Sequence, residues 1–342
     1  MSAITIGGNL VHYEVLGRGR PVLLLHGWLG SWRYWVPTMQ QLQLKYRVYA
    51  LDLYGFGDTS KDPSKYALDH QVQLVVDFMN QLAIPKAAFI GHGLGALVLA
   101  EFARLYPDRA PRVLMVSAPL FDPGNLDKRV PARPAAAPRP APAAVLPTEP
   151  TLPARPLSEA TIMNATSAMR IALIEAARAR ADGGAPAAPA TPEPAPPPAQ
   201  RHNPLNSLIA EAAPETLLAR CFKRAEPEYD KLAVDLPKTD PQALKLGVSL
   251  FDSGRMLDTV RLLPMPAVAL HGVDDPLIPV PDEAVWSYIT AENDSLLAIP
   301  IQGVRHFPML EYERFNRLAN DFLEAADVTK LEIKERWKRR TR

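Results

Sequence analysis

The chain has 342 residues, a formal net charge of +1, 47% hydrophobic residues and one cysteine. That length allows one or two domains, the balanced charge offers no electrostatic footprint for nucleic acid, and a lone Cys221 excludes an internal disulfide. No apolar run reaches the ~18 residues of a membrane span, and the first strand signal, Ala3-Ile4-Thr5-Ile6, leaves no room for a signal peptide, so a cytoplasmic protein is expected.

Residues 3–7 and 9–15 predict an opening hairpin. Residues 21–26 and 47–53 are continuous apolar runs, as expected of strands covered on both faces. Residues 70–82 predict an amphipathic helix, with Val72, Val75, Val76, Met79 and Leu82 on one face. A strand then ends in Gly91-His92-Gly93-Leu94-Gly95, and an apolar helix follows over 94–105. Later strands are expected at 113–117, 267–271 and 295–299. A closing helix spans 310–325, with Phe315, Leu318, Ala319 and Phe322 on one stripe. Strands alternating with helices predict an α/β fold, a mostly parallel sheet with helices on both faces.

The middle of the chain breaks this rhythm. Residues 131–156 and 182–200 are dominated by Pro and Ala, a composition that favours extended polyproline conformations over a packed core. Residues 157–181, 206–224 and 240–263 look helical. The simplest organisation is a core in two parts, 1–124 and 240–326, with a helical cap inserted over 125–239 and interrupted by two low-complexity arms. The arms read as linkers, with docking of a protein partner as the alternative. Residues 327–342 form a basic tail bearing Trp337, read as a solvated end rather than a membrane-surface anchor. Cys221 sits on an apolar helical stripe and reads as a buried structural thiol.

Five blocks carry the chemistry. They are Leu25-His26-Gly27-Trp28, Asp52-Leu53-Tyr54-Gly55-Phe56-Gly57, the glycine turn at 91–95, His271-Gly272-Val273-Asp274-Asp275-Pro276, and Gly303-Val304-Arg305-His306-Phe307-Pro308. Each follows a predicted strand. In this order they resemble the α/β-hydrolase family, over residues 3–123 and about 240–326. The resemblance implies an α/β-hydrolase fold with an inserted cap. It implies a nucleophile at position 93, an acid at Asp275 with Asp274 as the alternative, and a general base at His306. It also implies an oxyanion hole made by the backbone N–H groups of Trp28 and Leu94.

The elbow pattern G-x-S-x-G here reads G-x-G-x-G, so Gly93 stands where the seryl nucleophile is expected. Glycine relaxes the strained turn and removes the hydroxyl. The same residues also fit G-x-G-x-x-[GA], a dinucleotide fingerprint, but the next strand, 112–118, ends without the carboxylate that would hold a ribose. No cofactor is expected, and His26, His92 and His271 lack metal-site spacing and read as structural.

Three functions are consistent with this site. The first is a non-catalytic or weakly active pseudo-hydrolase that binds a small apolar ligand or a protein partner. The second is a hydrolase or lyase in which His306 and Asp275 activate water or abstract a proton. The third is a scaffold subunit using the arms and the tail.

Overall fold

The computed structural model describes residues 2–129, 203–249, 251–291 and 293–331. The low-complexity arms, the helical stretch expected at 157–181 and most of the basic tail lie outside these residues. Residues 1–137 and 201–342 form one compact unit.

Eight strands make a single sheet in the order β1-β2-β4-β3-β5-β6-β7-β8. They are β1 Ser2–Ile6, β2 Asn9–Leu16, β3 Arg20–Leu25, β4 Tyr46–Leu51, β5 Ala88–His92, β6 Val113–Val116, β7 Ala267–Gly272 and β8 Leu296–Ile301. β1 and β2 pair antiparallel, as do β2 and β4; every later pair is parallel. The chain therefore has the α/β-hydrolase fold expected from its motifs. The central strands β5, β6 and β7 are almost wholly buried, which accounts for their unbroken apolar sequences.

Helices α1 Val36–Leu42, α2 Leu68–Gln81 and α3 Leu94–Leu105 follow β3, β4 and β5. α1 packs on the closing helix Tyr312–Glu324, while α2 packs on α3. The chain after β3 and the chain after β5 thus run to different partners. At such a divergence the carboxyl ends of neighbouring strands open a crevice.

Two stretches that predict single helices are broken. Residues 206–224 fold as a π-helical turn, Asn206–Ala210, and the helix Pro214–Cys221. Pro214 starts the second piece, where its missing N–H costs no hydrogen bond. Residues 240–263 divide into Pro241–Ser249 and Ser253–Arg261, and Asp252 caps the second helix by accepting from Arg255 N–H. The closing helix begins two residues later than expected, after a 3₁₀ turn over Pro308–Leu310.

The described part of the inserted segment is tied to loops at the strand carboxyl ends. Ser31 Oγ donates to Asp235 at 2.7 Å and Arg33 Nη1 donates to the same carboxylate at 3.1 Å. Arg305 donates to the Cys221 carbonyl at 2.8 Å and to Glu226 at 2.8 Å. The Phe222 ring lies 5.8 Å from that of Phe307.

Candidate active site

Every site residue comes from the carboxyl end of a strand. His26, Gly27 and Trp28 follow β3, Gly93 follows β5, Ser117 follows β6, Asp275 follows β7 and His306 follows β8. The parallel register brings these ends to one edge of the sheet.

Asp275 faces His306, with Oδ2 and Oδ1 at 2.8 Å and 3.1 Å from Nδ1. Both side chains are buried. Asp274 is exposed, and its N–H bonds the Val304 carbonyl at 3.0 Å. Of the two adjacent carboxylates, only Asp275 meets the histidine. It also accepts from Ser117 Oγ at 2.9 Å and from the N–H groups of Leu277 and Ile278 at 2.8 and 2.9 Å. Burial alone would raise the carboxyl's pKa. The His306 ring and these donors outweigh burial and hold it below the ordinary carboxylate value. The carboxylate is thus kept charged and fixed, and it holds Nδ1–H of His306. Nε2 is left as the proton acceptor.

A second chain of hydrogen bonds joins three of the blocks. Gly27 N–H donates to Tyr34 Oη at 2.6 Å, Tyr34 Oη–H donates to His92 Nδ1 at 3.0 Å, and His92 Nε2–H donates to the His306 carbonyl at 2.8 Å. Burial, followed by the nearby His306, pushes the pKa of His92 well below its ordinary value. His92 is a neutral strut. It fixes the backbone of the base loop to the turn that carries Trp28. His26 is neutral for the same reason, donating from Nδ1 to the Gly27 carbonyl and accepting at Nε2 from Leu53 N–H.

The turn at Gly93 has the geometry of an elbow. Gly93 has φ +50° and ψ −109°, and its N–H bonds the Val116 carbonyl at 2.9 Å. Gly95 N–H bonds the His26 carbonyl at 2.9 Å, which seats α3 against β3. Leu94 opens α3, so its N–H has no intrahelical acceptor. Among the described residues neither Leu94 N–H nor Trp28 N–H has a protein partner. This is the condition an oxyanion hole requires.

The Gly93 position is crowded. A Cβ built on Gly93 would lie 3.0 Å from Trp28 Cε3 and 3.1 Å from Cζ3. Trp28 is buried, and its indole N–H has no partner among the described residues. The side chain of Trp28 therefore sits against the nucleophile position, while its backbone flanks the expected oxyanion hole.

Sequence reasoning missed Ser117, Tyr34 and the strut made by His92. Ser117 carried a faint signal, a hydroxyl at the end of an apolar strand. It adopts φ +46°, a strained conformation for a residue with a Cβ, and there it reaches Asp275. Tyr34 carried no signal, because its partners are 7 and 58 residues away.

The geometry brings the Asp275–His306 pair and the Gly93 turn to one edge of an α/β-hydrolase sheet. Comparison with known proteins agrees on the fold. Residues 20–157 match a family described as the alpha/beta hydrolase fold. Over 122 residues the chain is 35% identical to bifunctional epoxide hydrolase 2 of Rattus norvegicus, a match covering 34% of this chain and 22% of that protein. It is 33% identical over 116 residues to epoxide hydrolase 4 of Homo sapiens, covering 33% of this chain and 32% of that one. The match thus spans less than a third of these relatives. A hydrolase from Pseudomonas aeruginosa PA01 superimposes with a TM-score of 0.60 at 17% identity, covering 95% of this chain and 98% of that one. A serine-to-glycine mutant of the N-acyl homoserine lactonase AidH, complexed with N-hexanoyl homoserine lactone, gives 0.61 at 17% identity, covering 97% and 99%.

Proposed function

We propose that this protein is a pseudo-hydrolase of the cytoplasm that binds a small apolar ligand and does not work through a seryl acyl-enzyme. The observation that carries this reading is the Trp28 ring lying against Gly93. Position 93 lacks a hydroxyl, and the Trp28 ring crowds the place where a Cβ would sit. In a triad, loss of the nucleophile costs on the order of 10⁶-fold in kcat. The surroundings of the base loop are apolar: Trp28, Phe222 and Phe307 are buried aromatics there. Trp28 Nε1–H and the backbone N–H groups of Trp28 and Leu94 supply donors for a single polar atom of the ligand.

A second reading rests on the Asp275–His306 pair, whose carboxylate is fixed by Ser117 Oγ and the N–H groups of Leu277 and Ile278. His306 would take a proton from water, whose oxygen attacks an electrophilic carbon. The matched relatives are named for epoxides, which makes a small apolar epoxide the first electrophile to try. Its ring C–O bond breaks as the water C–O bond forms, and the alkoxide takes up a proton to give the diol.

The test titrates the protein with p-nitrophenyl butyrate and with styrene oxide, following tryptophan fluorescence and product together. Saturable quenching without product is the expected result. Absence of saturable binding overturns the ligand reading. Steady product formation that disappears in His306→Ala establishes the second reading in its place.

A further inference from the structure

The opposite ends of the same strands carry a separate concentration of charge. β4, β3, β5 and β6 are neighbours in the sheet, and their amino ends lie at the edge away from His306. Parallel register sets Arg20 beside Tyr46 and Val22 beside Ala88. Lys86 and Ala87 lead into β5, and Pro111 and Arg112 lead into β6. Together with Leu323 of the closing helix these residues line a cavity of about 230 Å³.

Three cations line the cavity and no carboxylate does. Arg112 is fixed in place: its Nη1 donates to the carbonyls of Phe322, Leu323 and Ala325 at 2.6, 3.1 and 3.1 Å. Those bonds leave its Nε and Nη2 without a protein partner among the described residues. Arg20 lies over the Tyr46 ring at 5.4 Å. Neither Arg20 nor Lys86 has an acidic partner among the described residues. Tyr46 is 2% exposed, and its hydroxyl has no hydrogen-bond partner among the described residues. Arg20 and Lys86 are exposed and hydrated, whereas a buried hydroxyl ordinarily finds an acceptor. The three cations and the unanswered Tyr46 hydroxyl lie together here.

Apart from these cations and Tyr46 the lining is apolar: Pro21, Val22, Ala87, Ala88, Pro111 and Leu323. Inorganic phosphate would gain nothing from such a surface and would lose hydration on it. A carboxylate with a short apolar body satisfies both halves. At about 30 Å³ per water the cavity holds roughly eight waters, room for a single small ring.

We propose that the Arg20–Lys86–Arg112 cavity binds a small organic carboxylate, its charge between the three cations and its apolar body against Val22, Ala88 and Leu323. The fork of an arginine matches a carboxylate in two bonds, and Lys86 adds a third donor. The cavity lies at the opposite end of β5 from the Gly93 turn, about 13 Å along the strand, so the two sites do not overlap.

The experiment is an NMR titration of the full chain with benzoate, following the amides of Val22, Ala87 and Ala88, with inorganic phosphate as the comparison anion. Saturable shifts at these amides are expected. Binding should weaken at least tenfold in Arg20→Gln with Lys86→Gln and be unchanged in His306→Ala. Both substituted side chains are exposed, so the double variant keeps the fold, and its circular dichroism verifies this. The proposal is overturned if no saturable shift occurs at these amides. It is equally overturned if the double variant binds as well as the wild type, or if phosphate binds more tightly than benzoate.

Discussion

At the scale of single residues, Gly93 and Trp28 must be considered together. Gly93 relieves a backbone conformation that would cost another residue about 1–3 kcal/mol. Restoring a side chain meets that strain and also the Trp28 ring, which has to yield by a few tenths of an ångström. Gly93→Ser should therefore fold with a stability loss of about 1–3 kcal/mol, measured by urea unfolding. A second substitution, Trp28→Leu, should speed phosphonate labelling of that serine by making room. Labelling that is unchanged or slower in the double variant would mean that Trp28 does not crowd position 93. A further residue-scale prediction concerns the strut. Tyr34→Phe leaves Gly27 N–H buried without an acceptor, at a cost of about 1–3 kcal/mol, and frees the base loop. Loss of stability without any change in the His306 NMR resonances would show that the strut does not position the base.

The motifs placed Gly93, Asp275 and His306 at strand ends, where they lie, because each sits in a short block fixed by backbone geometry. They left Asp274 and Asp275 unresolved. Adjacent residues are separated only by which side chain turns inward, and the Ser117 and amide donors decide that. The Trp28 ring against Gly93 was likewise illegible, because the approach of two loops depends on packing between them.

At the scale of elements, α3 is pressed onto β3 through a glycine. A Cβ on Gly95 would collide with the backbone carbonyl of Leu25, which cannot move aside as a flexible side chain could. Gly95→Ala should destabilise the protein by about 3 kcal/mol or more, at the upper end of overpacking. A thermal midpoint within two or three degrees of wild type, with α3 intact by hydrogen exchange, would contradict that packing. The central strands and α3 were legible from their apolar runs and from the glycine turn between them. The inserted helices were not. Apolar periodicity continues across 240–263, and only the capping carboxylate of Asp252 marks the break. The helix Glu283–Thr290 gave no expectation, although Asp282 caps it by accepting from Val285 N–H. Single caps are weak signals beside hydrophobic pattern.

For the molecule as a whole, the described residues contain no helix long and apolar enough to cross a membrane. One compact unit carries both the His306 pair and the basic cavity at opposite edges of its sheet. Its pH dependence follows from buried histidines. His26, His92 and His271 are held below the ordinary value of 6.5, in each case first by burial. A depressed folded-state pKa gives stability above the unfolded value that is lost as pH falls. His12 opposes this. Burial lowers its pKa, but the hydrogen bond and charge of Asp52 outweigh burial and raise it, so its contribution is present below 6.5 and fades as pH rises. With three groups against one, the thermal midpoint should fall steadily as pH drops from about 6.5. Asp275 adds a further loss below about pH 4. A flat midpoint between pH 7 and 5 would show that these histidines are not buried as neutral rings.

In the proposed reading Asp275 and His306 form a competent acid–base pair and position 93 lacks the nucleophile. The most direct measurement is covalent labelling by a fluorophosphonate, followed by mass spectrometry, on wild type, Gly93→Ser, and Gly93→Ser with His306→Ala. Wild type should not label. Gly93→Ser should label at residue 93 and release p-nitrophenol from its butyrate ester, because the hydroxyl meets a waiting base and backbone donors. The double variant should do neither at a comparable rate. Labelling of the wild type at any site residue would contradict the claim, as would a folded Gly93→Ser protein that neither labels nor turns over.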